Sequence, residues 1–269
     1  MYITAEGDLP VCLLAHMDTV FTKPAETFYF DRDQNVLWSP DGLGTDDRAG
    51  IYIIIMLLEA GYRPSLIFTD MEERGGIGAS ALIEKYPECI FPDCRALIQL
   101  DRQGVNDCVF YDCDNDKFVE LIESYGFKEE WGTFTDISII APVWEIAAVN
   151  LSVGYYHEHT SSELFNIAEC HKTIDRVSKM LDDCKDWSSY VYIPAPPMPK
   201  MAGGTFWWDA NACYYCGKPL TETEGRIVVD DTGKQENAIL LCDDCYKLYE
   251  KYYVQKEDHP QDDPPYLTN

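Results

Sequence analysis

Basic residues are scarce in this chain. Lys and Arg number 21 against 47 Asp and Glu over 269 residues, for a formal net charge of −26. A surface of that sign repels phosphate backbones, which excludes nucleic acid as an expected partner and argues equally against anionic membranes. Nor is there an apolar run long enough to span a bilayer. The most apolar stretch, Ala49 to Ala60, stops at Gly61 and reads as a buried helix. The N-terminus lacks the basic, apolar and small-residue succession of a secretory signal, so the expected location is the cytoplasm. No internal repeat is visible. What the chain has in excess is acid, part of it in residues 256–269, a tail whose composition is that of disorder.

Hydrophobic residues make up 46% of the sequence, ordinary for a globular protein with a full core. Short β-rich runs (Val11–Ala15, Ser65–Thr69, Arg95–Leu100, Cys108–Tyr111 and Ala147–Val153) alternate with helical patterns (Arg48–Ala60, Ala79–Tyr86, Asp116–Tyr125, Asp136–Val143 and Ser162–Cys184). Such alternation predicts an α/β fold: three layers, with a largely parallel sheet and helices on both faces. Thr160 ahead of Glu163 has the form of a capping box and predicts that the last helix starts there. The expected catalytic domain is residues 1–190. A proline-rich linker, 191–208, follows, and a second small unit spans 209–255.

The acids and histidines that matter stand where strand-like runs give way to turns. That edge of an open α/β sheet is where ligands bind. His16-x-Asp18 leaves the first run, and residues two apart on a strand share a face, so one can bind a metal while the other orients it. Asp46-Asp47-Arg48-Ala49-Gly50 opens an apolar helix, where an aspartate can cap the helix or bridge two cations. Glu72-Glu73 lies between an apolar strand and Gly75-Gly76, a poor setting for simple solvent exposure. Asp101 ends the run Ala96–Leu100. His159 follows Leu151–Tyr156, with His157 two residues away as an equal candidate on spacing alone. Together they offer a bridging carboxylate and two further ligands per metal: His16 with Glu73 or Asp101, and His159 with the other. Nitrogen and oxygen donors without thiolate suit Zn²⁺, with Mn²⁺ or Co²⁺ as substitutes. Glu72 is then left over as general base.

In this order the motifs resemble the co-catalytic di-zinc exopeptidases, a superfamily that holds peptidase T, glutamate carboxypeptidases, leucyl aminopeptidases and related N-acyl amino acid deacylases. The resemblance covers roughly residues 10–185. It implies that His16, Glu73, Asp101 and His159 are zinc ligands, that Asp46 bridges, that Asp18 supports His16 and that Glu72 is the catalytic base. The gaps between Asp101 and His159 and between Asp18 and Asp46 are too short for the lid or dimerisation domain that many members carry. A stripped catalytic core is therefore expected, nearer the single-domain aminopeptidases.

Eleven cysteines are present. Cys213-x-x-Cys216 and Cys242-x-x-Cys245 flank a hairpin-like stretch, 225–233, and resemble a four-cysteine zinc ribbon or treble clef. A unit this small buries little core without a metal, so a structural Zn²⁺ is expected there. Its expected partners are the catalytic domain, a second subunit or another protein. The remaining cysteines read as small buried hydrophobes. The leading functional expectation is an aminopeptidase acting on small peptides. A carboxypeptidase or N-acyl amino acid deacylase of the same superfamily is the enzymatic alternative, and a silent scaffold on the hydrolase fold is the non-enzymatic one.

Overall fold

The computed structural model describes residues 1–111, 113, 115–130, 132, 134–184, 186–194, 225–228, 239–243 and 246–247. The chain divides into two compact units, Met1–Ala195 and Pro196–Asn269.

The first unit is built on β2 (Leu9–His16), whose residues from Val11 to His16 are all buried. A strand hydrophobic on both faces belongs in the middle of a parallel sheet with both faces covered. Its neighbours are β5 (Pro64–Thr69) and β6 (Ala96–Arg102), both parallel to it, and β9 (Ala147–Ser152) lies parallel beyond β6. The edges are antiparallel additions. β1 (Tyr2–Ala5) pairs with β5, and β7 (Asp107–Val109) pairs with β9 and carries β8 (Lys128–Glu129) outside it. The full order is β1-β5-β2-β6-β9-β7-β8.

Alternate side chains divide between two cores. Val11, Leu13 and Ala15 of β2, with Ala96, Ile98 and Leu100 of β6, pack against Ile53 and Leu57 of α1 (Thr45–Glu59), Phe118 and Ile122 of α3 (Asp116–Ser124) and Val177 and Met180 of α5 (Ile167–Asp183). Cys12 and Leu14, with Leu97 and Ala148, meet Ala79 and Leu82 of α2 (Ile77–Lys85) and Ile137 and Ile140 of α4 (Asp136–Trp144) on the other face. The expected three layers are therefore present. The seven cysteines described in this unit are free, five of them buried and Cys89 and Cys184 half-buried, and Cys12, Cys94, Cys108 and Cys170 pack in these cores as small apolar groups.

Two local expectations change. The last helix starts at Ile167 rather than Ser162, because residues Leu164–Asn166 form β11. Its cap is Asn166, whose side chain accepts from Glu169 N, while the Thr160 hydroxyl donates to the carbonyl of His157. The second change is a small antiparallel sheet of order β10-β11-β4-β3, made with β3 (Tyr29–Asp31), β4 (Val36–Trp38) and β10 (Tyr155–Tyr156). Tyr29 and Trp38 stack on its outer hairpin, ring centroids 4.6 Å apart. This sheet ties the chain on both sides of residues 157–163 to the segment between β2 and α1.

In the second unit, β12 (Gly225–Val228) and β13 (Ile239–Cys242) pair antiparallel, and Arg226 Nε lies 2.9 Å from Asp243 Oδ1. Cys242 ends β13. Cys213, Cys216 and Cys245, and the Cys242 side chain, lie outside the described residues, as does the 256–269 tail.

Candidate metal centre and active site

His16 ends β2 with its ring buried, 1% exposed. The strand beyond it turns away through Asp18, whose Oδ1 lies 3.4 Å from His16 Nδ1. The same carboxylate accepts from Glu72 N at 3.0 Å and Glu73 N at 3.3 Å. Asp18 thus stands beside the imidazole, whose Nδ1 has no hydrogen-bond partner, and holds the turn Glu72–Arg74 that follows β5.

Asp46 and Asp47 share the start of α1 but not a task. Their peptide is cis, and neither has helical backbone angles. Asp47 is the capping group. It accepts from Gly50 N at 2.9 Å and from the backbone N of His16 at 3.1 Å, so both of its oxygens are occupied by amides. Gly50 must stay small for this, since a Cβ there would sit 2.0 Å from Leu100 O and 2.5 Å from Asp47 Oδ1. Asp46 is left free to face outward, and its two oxygens are divided between the two histidines. Oδ1 lies 3.0 Å from His16 Nε2, and Oδ2 lies 3.0 Å from His159 Nε2.

Each histidine has a second carboxylate of its own. Asp101 Oδ1 stands 3.4 Å from His16 Nε2, and Glu73 Oε2 stands 2.8 Å from His159 Nε2. His16 thus stands within ion-pair distance of Asp101 and His159 within that of Glu73, while donor atoms of His16, Asp46 and Glu73 also lie within 4.8 Å of one another. Donors bound tetrahedrally to one ion at about 2.0 Å would lie about 3.3 Å apart, and each of these histidine–carboxylate separations is near that value. Of the two candidate histidines, both exposed, His159 is the one that stands against this cluster, and no ion pair places His157 there.

The supporting contacts include residues that the sequence reading passed over. Asp101 Oδ2 accepts from the Thr135 hydroxyl at 2.9 Å and from Gln99 Nε2 at 3.1 Å, which leaves Oδ1 for His16 and the Tyr155 hydroxyl at 3.3 Å. Asn150 exchanges hydrogen bonds with the Asp101 backbone. An amide inside the apolar runs Ala96–Leu100 and Ala147–Leu151 is the sequence signal for both Gln99 and Asn150. Glu163 is the acid four residues after His159 in the run His159-Thr-Ser-Ser-Glu163. It is fully buried and accepts from the backbone N of Leu43, Gly44, Thr45 and Asp46 and from the Thr45 hydroxyl. This carboxylate holds the turn that presents Asp46. Gly44 sits in that turn at φ +65, a conformation that suits glycine.

The electrostatics are those of a crowded acid cluster. Burial raises Glu72 to about 8, with the charge of Asp101 adding, and raises Glu73 to about 7, with Asp46 adding. Burial likewise pushes Asp101 and Asp47 upward. His16 is raised despite its burial, because Asp101, Asp18 and Asp46 together outweigh the desolvation. His159 rises to about 9, chiefly through its hydrogen bond with Asp46. Glu73 Oε1 is buried with no hydrogen-bond partner. Imidazoles and carboxylates with a buried oxygen unpaired form a donor set that fits divalent cations held by nitrogen and oxygen. His16, Asp46, Asp101, Glu73 and His159 are the residues that could hold them. Beside them opens a cavity of about 170 Å³, lined by Asp46, Glu72, Asp101, Tyr111, Tyr155 and His159, with Arg102, Gln103, Phe134, Asn150 and Glu158 completing the wall.

No protein-family model and no curated protein sequence matches the chain. Solved structures match it in fold. An aminopeptidase PepT from Bacillus cereus aligns over 67% of this chain and 83% of its own at 16% identity, TM-score 0.55. A tripeptidase from Staphylococcus aureus aligns over the same shares at 15% identity, TM-score 0.54. The chain shares the fold of these two peptidases.

Two outcomes follow from this geometry. Glu163→Gln keeps the shape but replaces one acceptor oxygen with a donor that opposes backbone N–H groups. It should cost about 2–3 kcal/mol in urea unfolding; a variant as stable as the parent would show that the turn is held by other means. The second outcome concerns protons. Glu72, Glu73 and His159 all bind protons more tightly folded than unfolded, from ordinary values of 4.5, 4.5 and 6.5. Stability of the metal-free protein therefore falls as pH rises from about 4.5 to about 9. Asp18 and Asp46 are lowered, and their contribution is lost only as pH falls below about 3.8. The melting temperature of EDTA-treated protein should drop between about pH 5 and about pH 8.5, and Zn²⁺ should abolish or reverse the slope, since it binds the deprotonated ligands. A flat or rising metal-free profile would contradict this reading.

Proposed function

We propose that this chain, with the fold of the co-catalytic zinc exopeptidases, is a metal-dependent exopeptidase, an aminopeptidase that hydrolyses small peptides. The observation that carries the reading is the division of Asp46. One carboxylate meets His16 with one oxygen and His159 with the other, and each histidine has its own second carboxylate, Asp101 or Glu73. That is the donor pattern for two adjacent cations, one on His16, Asp46 and Asp101 and the other on His159, Asp46 and Glu73. Zn²⁺ suits these donors, with Mn²⁺ or Co²⁺ as substitutes. Bound there, the pair would supply Lewis acidity to the scissile carbonyl and lower the pKa of the attacking water from ~16 toward ~7.

The chain's own groups account for the rest. Glu72 lines the same cavity as Asp46, Asp101 and His159. Its carboxylate accepts a proton from the attacking water and returns it to the leaving amine nitrogen. Its elevated proton affinity in the metal-free protein suits that task. Asp18 lies 3.4 Å from the ring of His16 and, through Glu72 N, holds the backbone of the base. The cavity, at about 170 Å³, is smaller than the roughly 300 Å³ at which drug-sized pockets begin, and it fits a short substrate. The structures sharing this fold include proteins described as an aminopeptidase and a tripeptidase. Cys213, Cys216, Cys242 and Cys245 are proposed to hold a separate structural Zn²⁺, for about three zinc equivalents per chain in all.

Glu72→Gln should retain the metals and lose on the order of 10²–10⁴-fold in kcat on aminoacyl substrates, because an amide cannot take up the proton. Near-normal turnover at full metal occupancy would place the base elsewhere. His159→Ala should lose one metal equivalent and nearly all activity, and His157→Ala should keep both catalytic metals. Elemental analysis beside initial rates distinguishes the two, and the reverse pattern would sink the assignment.

A further inference from the structure

The wall of the cavity carries carboxylates from Asp46, Glu72, Asp101 and Glu158 and one guanidinium, Arg102. In a chain of net charge −26, a cation at that position calls for an explanation. Neutralising the acid cluster is the simplest role, and the distances speak against it. Among the described residues the guanidinium has one carboxylate within 4.0 Å, that of Asp107, and Nη2 stands 3.9 Å from it, beyond hydrogen-bonding range. Arg102 Nε is buried with no hydrogen-bond partner. The side chain is 23% exposed, so the charge is only partly solvated.

Its placement follows from the sheet. Arg102 is the residue after Asp101 at the end of β6, and successive residues of a regular strand point to opposite faces. The pairing of β6 with β9 slips between Gln99 and Arg102, and both Asp101 and Arg102 line the cavity. A guanidinium with donors to spare, fixed one residue from a candidate metal ligand, is built to receive a planar anion through paired hydrogen bonds.

We infer that Arg102 binds the free carboxylate of the substrate's leaving amino acid, so that the preferred substrates end one residue beyond the scissile amide. The inference rests on the hydrolase reading for the position of the scissile bond. The shared chemistry is an α-carboxylate, which a free dipeptide and an N-acyl amino acid both supply. The small cavity agrees, because a carboxylate held at Arg102 leaves little room for a longer chain on that side.

The test compares acids with their amides on the metal-loaded full chain: Leu-Gly against Leu-Gly amide, and N-acetyl-leucine against N-acetyl-leucinamide. The parent protein should prefer the acid by about 10- to 100-fold in kcat/KM in at least one pair, mainly through KM, and that pair names the source of the carboxylate. Arg102→Met should bring the ratio near unity, and Arg102→Lys should restore part of it, since an ammonium keeps the charge without the fork. Metal content and melting temperature of each variant, matched to the parent, exclude misfolding. A second readout needs no turnover: leucine should raise the melting temperature more than leucinamide does in the parent, and the difference should shrink in Arg102→Met. Equal treatment of acid and amide by the parent in both readouts, or a ratio unmoved in Arg102→Met, would overturn the inference and leave the hydrolase reading standing. Selective leucine binding with no turnover of any substrate would do the opposite.

Discussion

Mutual repulsion among acids gathered at one edge of the sheet is the constraint that the rest of this structure answers. Asp46, Asp47, Asp101 and Glu73 lie within a few ångströms of one another and of two histidines, mostly out of water. Each is tolerable only because something else holds it. Asp47 is consumed by two backbone amides, and Asp101 by Thr135 and Gln99 on one oxygen and His16 on the other. Asp46 is shared between imidazoles. The arrangement lowers the cost of burial without removing it. A folded state of that kind stays short of positive charge and favours whatever supplies it.

Much of this was legible in the sequence, because the parts that matter are local. A histidine, an aspartate or a glutamate directly after an apolar run sits at a strand end whatever else the chain does. Five such places in order leave few folds to choose from. The buried strands were readable for the same reason: Val11 to His16 has no polar residue before the histidine. The divided labour of Asp46 and Asp47 was not readable. Either could cap, and only the backbone angles of the turn decide.

What escaped the sequence is non-local. Glu163 looked like part of a helix cap because Thr160 stands three residues before it. In the fold its carboxylate belongs to residues about 120 positions earlier, and the helix waits until Ile167. The small sheet escaped as well. Its strands are two or three residues long, too short for a period to show, and they gain their place by pairing across the chain. Those pairings brace the loop that carries His159.

The attachment of Glu163 to the turn at 43–46 also sets an order of events. A chain is made from its N-terminus, so β2, α1, β5 and β6 emerge well before this glutamate does. Until it arrives, the amides of Leu43, Gly44, Thr45 and Asp46 have only water to satisfy them, and the turn that leads into α1 lacks its anchor. The sheet can be largely paired by then, yet its reactive edge is unformed. A nascent or truncated chain that stops short of residue 163 therefore lacks the carboxylate that anchors the turn presenting Asp46. A segment that leaves the ribosome late is the one that locks the first-made part of the site.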